Sequence, residues 1–310
     1  MNFVDSILAQ TIIFAVPIII SALGGLLAYK INIVNIGLEG FMVFSALVST
    51  VVMYFTGSYM WGLLSAVAIS AIMGLIYAFF AVTQKANFVI TGFAINILAA
   101  AVGGFVIKHL NTIGKLSQNS IPVTLEQSKM QLIIPGVHDI PILGALLSGH
   151  TPMVFLTIVL FVIVSVFLYK TRMGMYTQVI GESEDAARSV GIKVNKVKYI
   201  VLIMSAVIVG FAGFNIAVEQ VRLFSPVVIA GTGFIAIAAF YCGDGRPGRT
   251  TIYALIFGLT QSLAMNIGLM NNALAQILKT VPYITIIIVL TINSLLKVRN
   301  KLDRGAHYVD

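Results

Sequence analysis

The chain has 310 residues, 59% of them hydrophobic and only 10% charged, with a formal net charge of +8. A soluble domain carries about a quarter charged residues, so one water-soluble core is excluded and the composition is that of a polytopic membrane protein. The single cysteine, Cys242, excludes an intrachain disulfide and a cysteine metal cluster.

Ser6–Ala28 is an uncharged apolar run, and about 20 residues suffice to cross a bilayer. Asp5 is the only charge before it and there is no basic leader, so it reads as a retained span. Thr56-Gly57-Ser58 divides the next run by turn chemistry into Val34–Phe55 and Tyr59–Val82. After the polar turn at Gln84-Lys85, Ala86–Ile107 is the fourth span. Residues 108–151, with Pro122, Pro135 and Pro141, read as an external loop holding a short interfacial helix over Thr124–Ile133. Pro152–Tyr169 is the fifth span, and Thr171–Lys198 is the longest charged interruption in the chain. Tyr199–Val218, Leu223–Tyr241, Thr251–Met270 and Val281–Leu296 follow as spans six to nine. Gly243–Arg249 is a hydrophilic turn, and 297–310 is a charged tail. The expected fold is all-α, a polytopic transmembrane helical bundle of about nine spans.

Nine spans put the termini on opposite sides. With Thr171–Lys198 in the cytoplasm, 14 Lys and Arg fall inside against 5 outside, which the positive-inside rule favours. The N-terminus is then external and the C-terminal tail cytoplasmic. The positive charge is thereby used in orientation, and no nucleic-acid partner is expected. His109, His138, His150 and His307 do not pair at metal-ligand spacing, so no metal site is expected.

Glycines such as Gly24-Gly25, Gly103-Gly104, Gly210 and Gly213 suit close helix packing in lipid. Gly231-Thr232-Gly233 is dense enough to mark a broken helix. Asn35-Ile36-Gly37-Leu38-Glu39-Gly40-Phe41 and Ala230-Gly231-Thr232-Gly233-Phe234 echo each other as Gly-spaced openings of spans. Such an echo fits an internal half-repeat with a transport site between the halves, or chance likeness between apolar runs.

Polar groups within spans are the default functional candidates. Glu39 is the only acid well inside a predicted span, either a functional group or a structural ion pair. Asn96 offers both a donor and an acceptor, or simply an interhelical contact. Asn35, Asn215, Gln220 and Gln261 follow.

In the charged stretch, Glu182–Val190 reads as a short helix, acidic at its start and basic at Arg188, in keeping with the helix dipole. Ser183 caps it and Gly191 ends it. On these residues alone a solvated inter-span helix competes with a docking element. No G-x-x-x-x-G-K-[ST] phosphate loop occurs anywhere in the chain.

Gly181-Glu182-Ser183-x-x-Ala186-Ala187-x-x-x-Gly191-Ile192 resembles the cytoplasmic coupling segment of ABC-importer permeases of the branched-chain amino acid, ribose and nucleoside group. Asn35-Ile36-Gly37-Leu38-Glu39-Gly40, Gly233-Phe234-Ile235-Ala236-Ile237-Ala238 and Pro282-Tyr283 resemble motifs of the second permease of nucleoside-type importers. Thr232 stands where that family often has Arg, and Asp244-Gly245-Arg246-Pro247-Gly248 replaces a Pro-x-Gly turn, leaving room for an altered substrate. The resemblance implies one permease domain over 1–310 and a heterodimer with a second permease. It also implies a cytoplasmic ABC ATPase that binds the ATP, so that this chain holds no cofactor, and an external substrate-binding lipoprotein. Gly181, Glu182, Ser183, Ala186, Ala187, Arg188 and Gly191 would form the ATPase contact, with Ala186, Ala187 and Val190 packing closely. Asn35, Glu39, Asn96 and Gln220 would line the substrate pathway, and Phe88, Phe93, Phe234 or Phe240 would stack a base. Amides and aromatics suit a nucleoside, and equally a simple sugar. A stand-alone ion-driven transporter would use Glu39 as a proton site but leaves the Ala186-Ala187 loop without a purpose. An intramembrane enzyme lacks any paired catalytic set within the spans.

Overall fold

A computed structural model describes residues 3–116, 119–123, 132, 149–270, 280–281, 284–292 and 295. Among them, seven helices are long and apolar enough to cross a membrane. The elements are α1 (Phe3–Tyr29), α2 (Leu38–Thr56), α3 (Tyr59–Ala78), α4 (Phe88–Thr112), α5 (Pro152–Lys170), α6 (Arg172–Glu182), α7 (Glu184–Ser189), α8 (Val194–Phe214), α9 (Thr232–Cys242) and α10 (Pro247–Met270). Two π-helical turns extend α3 over Phe79–Thr83 and α8 over Asn215–Gln220. The fold is a polytopic helical bundle.

α1 is the central helix, with Ala15, Ile18, Ile20, Leu23, Leu26 and Leu27 fully buried. It packs on α5, α8, α9 and α10. A Cβ on Gly24 would meet the Ser205 carbonyl of α8 at 2.8 Å, so the two backbones run in close contact. Gly213 of α8 lies just as tightly on the Met42 backbone of α2. Small residues thus set helix spacing where lipid supplies no hydrophobic drive between helices. By contrast α3, α4 and α5 expose large apolar side chains, among them Leu64, Ile72, Ile90, Ile97, Ile158 and Val162, as helices facing lipid or another subunit do.

Several boundaries differ from the sequence reading. α4 runs on to Thr112 and begins under an Asn87 cap, whose Oδ1 accepts from Val89 and Ile90. α8 begins at Val194 rather than Tyr199. α10 begins at Pro247, a favoured first helical residue, so the last three residues of the expected Gly243–Arg249 turn are helix. Of the expected ninth span, residues 284–292 are helical. Most of the interfacial helix expected over Thr124–Ile133, and the tail 297–310, lie outside the described residues.

The main correction concerns Leu223–Tyr241, which is not one helix. Strand β2 (Leu223–Phe224) pairs antiparallel with β1 (Ile121–Pro122) beyond α4. The chain then turns through Ser225-Pro226 to Ala230 and Gly231, both at positive φ, before α9 begins. Eleven helical residues span about 16 Å, roughly half of a bilayer core. Pro226 removes a backbone donor, and Gly231 adopts a left-handed conformation that breaks the helical ladder. The segment still traverses the bundle. β2 lies at the end where α4 finishes, and Gly245, after α9, packs on Tyr29 at the opposite end.

Candidate functional site

Three polar arrangements stand out, and the first lies where α2, α4 and α9 meet. The Glu39 carboxylate accepts from the Gly231 N–H and the Gly233 N–H, each at 2.8 Å. Glu39 also sits in the first turn of α2. One carboxylate therefore serves two converging helix N-termini, whose positive ends stabilise an acid in the membrane that has no Lys or Arg partner in the described structure. The backbones approach closely here. A Cβ on Gly233 would lie 2.7 Å from the Glu39 nitrogen, and one on Gly92 would lie 2.6 Å from the Gly37 nitrogen. Asn96 of α4 stitches the same junction. Its Oδ1 accepts from Gly40 N–H at 2.7 Å and its Nδ2 donates to the Ile36 carbonyl at 3.0 Å. Asn35 is buried and its Oδ1 accepts from Gly37 N–H, while its Nδ2 has no partner among the described residues.

The two Gly-spaced openings noted in the sequence thus touch one another across Glu39. Asn35, Glu39 and Asn96 are brought together, and Phe234 stands beside them in the first turn of α9, 43% exposed. Phe88 begins α4, with its carbonyl accepting from the Tyr77 hydroxyl at 3.2 Å.

Gln220 is elsewhere, at the far end of α8. There Glu219 is 4% exposed, an acid the sequence reading missed because it falls one residue beyond the predicted sixth span. Its carboxylate receives four donors: the Tyr59 hydroxyl, Asn215 Nδ2, the Thr151 hydroxyl and the Met153 N–H. Thr151 and Met153 form the N-terminus of α5, so Glu219, like Glu39, anchors a helix start. The i,i+4 spacing of Asn215 and Glu219 was the available signal. A cavity of about 350 Å³ adjoins this cluster, between α1, α5, α10 and the end of α8.

The third arrangement is the charged stretch, which forms two helices. Thr171 caps α6 through Gly174 N–H, and Ser183 caps α7 through Ala186 N–H. Gly191, at φ 82°, follows α7 in the left-handed region. Glu184 accepts from both Arg188 and Lys198, and Arg188 also donates to Asn195. These bonds, Lys198's first and then Arg188's, hold the Glu184 carboxyl below its ordinary range. Ala187 is fully buried against this chain's own residues, which corrects its expected place on the docking surface; Ala186, Arg188 and Val190 remain exposed. Gly181 also faces inward, where a Cβ would meet the Lys30 carbonyl. That contact joins the charged loop to the turn leading into Asn35–Glu39. Burial, reinforced by the charge of Arg246, lowers the Lys30 pKa. A groove of about 380 Å³ beside α7 is lined by Met173, Tyr176, Val190, Ile192, Lys193 and Lys196, among others.

With this geometry in place, comparison with known proteins gives a consistent result. The family model described as the permease component of branched-chain amino acid transport systems matches residues 7–290. The guanosine ABC transporter permease protein NupQ of Bacillus subtilis is 34% identical, covering 92% of this chain and 91% of the relative. The nucleoside ABC transporter permease protein NupC of Lactococcus lactis is 30% identical, covering 99% and 98%. A putative glucose ABC transporter permease protein, TsgC13 of Haloferax volcanii, is 28% identical, covering 94% and 92%. No solved structure matches.

Proposed function

We propose, from the premise that this chain belongs to the family of ABC-transporter permease components described as branched-chain amino acid transport permeases, that it carries nucleosides inward across the plasma membrane by alternating access. The observation that carries the cargo is full-length likeness to two permeases named for guanosine and for nucleosides. A simple-sugar cargo is the second reading, favoured by the full-length match to a relative named for glucose.

As an ABC permease, the chain works with an ABC ATPase and a substrate-binding protein. The finer assignments are a heterodimer with a second permease, an external lipoprotein as the binding protein, and ATP held only by the ATPase. Nine crossings with an external N-terminus fit the chain if the β2–α9 segment counts as one broken crossing. The docking surface is α7 with the adjacent groove, Ala186 and Val190 giving apolar contact and Lys193 and Lys196 favouring an acidic rim.

ATP-driven closure of the ATPases pushes α6 and α7. The push reaches the Lys30 turn through the close seat of Gly181. From there it passes into Asn35–Glu39, and so to α4 through Asn96 and to α9 through Glu39. Packed elements with two discrete arrangements switch as rigid bodies, and the broken crossing supplies the hinge. Its backbone groups and Phe234 lie where a polar substrate would pass.

Competition for uptake into membrane vesicles tests the cargo. Guanosine and uridine are expected to compete with labelled guanosine, with ribose and glucose ineffective. Competition by the sugars alone would replace this reading with the second.

A further inference from the structure

The cavity beside Glu219 carries an inference about where and how a substrate is recognised, and it rests on the nucleoside reading above. The Ile13 carbonyl only accepts hydrogen bonds, which fixes the Gln220 amide and, through it, Asn215, whose Nδ2 donates to Glu219 at 2.8 Å. Asn215 Oδ1 then faces Gln220, which must present its own Nε2, at 2.7 Å. The same Nε2 donates to the Ile13 carbonyl at 2.7 Å. Both protons of that amide are therefore used, and Gln220 Oε1 is left as an acceptor. One turn before Ile13 on α1, Gln10 Oε1 accepts from Asn266 Nδ2 at 2.6 Å, leaving Gln10 Nε2 as a donor. Neither of these two remaining atoms has a protein partner among the described residues. Both side chains line the same cavity, of about 350 Å³, within the size range of small-molecule sites, about 300–1,000 Å³.

A fixed acceptor and a fixed donor match a molecule offering a neighbouring N–H and C=O, the lactam edge of a nucleobase. A simple sugar offers hydroxyls and a ring oxygen and has no such N–H/C=O edge. The apolar part of the lining, Ile13, Phe14 and Met265 among it, suits the flat face of a heterocycle. We propose that this cavity is an outer station for the substrate, separate from the Glu39 junction, which reads a neutral heterocycle through its lactam edge between Gln220 and Gln10.

The test uses the full chain with its partner subunits in nanodiscs and in vesicles. Ile13→Cys places a thiol in the cavity, and the wild type, whose Cys242 is buried, is the blank. A membrane-impermeant maleimide is expected to label Ile13→Cys from the external side, and guanosine or uridine to slow the labelling while ribose does not. Separately, Gln220→Leu and Gln10→Leu are each expected to raise KM for guanosine about fivefold, the weight of one neutral hydrogen bond. If the wild type imports nucleosides but neither nucleoside protects the thiol and neither variant moves KM, the station is refuted and the cargo reading stands. If the wild type imports sugars and no nucleoside, the cargo reading fails and this inference fails with it.

Discussion

At the scale of single residues, two acids, Glu39 partly buried and Glu219 buried, do the same physical work. Glu39 closes the N-terminus of α9, and Glu219 closes that of α5. A carboxylate in a membrane is tolerated only when paired or wet, and here backbone N–H groups at helix starts provide the pairing. Glu39→Ala leaves the Gly231 and Gly233 donors unpaired, at about 1–3 kcal/mol for each buried donor. It is expected to lower the melting temperature in nanodiscs and to reduce uptake, with Glu39→Gln intermediate because its carbonyl keeps one acceptor. A Glu39→Ala protein as stable as the wild type would contradict this anchoring role. Glu184 gives a pH test. Its folded pKa lies below the ordinary value near 4.5, so its contribution to stability is full above that value and is lost as pH falls through the depressed one. Hydrogen exchange over α7 is therefore expected to stay slow at neutral pH and to quicken only below the ordinary carboxylate range. Glu184→Gln should exchange faster at neutral pH and lose that acid dependence.

At the scale of elements, the apolar runs were legible because lipid demands long uncharged stretches. Pro152–Tyr169 and Tyr59–Val82 were each bounded to within about a residue. The broken crossing was only half legible. Hydropathy reports composition, so Leu223–Tyr241 looked like a span, although Pro226 and Gly231 already carried the break and Gly231-Thr232-Gly233 was read as its mark. Glu219 was hidden because it falls just beyond the predicted sixth span and because Tyr59, Thr151 and Met153 come from α3 and the start of α5, leaving its i,i+4 partner Asn215 as the one local clue. Ala187 was misplaced for a different reason. A six-residue helix is too short for its periodicity to say which face turns inward. The consequence is measurable. Ala187→Trp overfills a closed site, at about 1–3 kcal/mol or more, and is expected to lower the amount of folded protein. Ala186→Trp is expected to leave the protein folded in the membrane while uptake falls and ATP hydrolysis continues. Unchanged uptake in Ala186→Trp would remove α7 from the docking surface.

At the scale of the whole molecule, one path of contacts joins the charged loop over 171–198 to the interior of the bundle. It runs from Gly181 to Lys30, then through Asn35–Glu39 to α4 and α9. The opposite end of the bundle is organised separately around Glu219, α5 and the β1–β2 pair. A push on one end can thus reorganise the Glu39 junction through packed elements that move as rigid bodies. An ion-driven carrier would need no such loop and no second protein. The central claim is therefore tested most directly by guanosine uptake into proteoliposomes. The chain reconstituted with its partner permease, ATPase and binding protein is expected to accumulate guanosine when ATP is supplied, and to stop when ATP is withheld. Guanosine uptake by the chain alone, driven by a proton or sodium gradient without ATP, would contradict it.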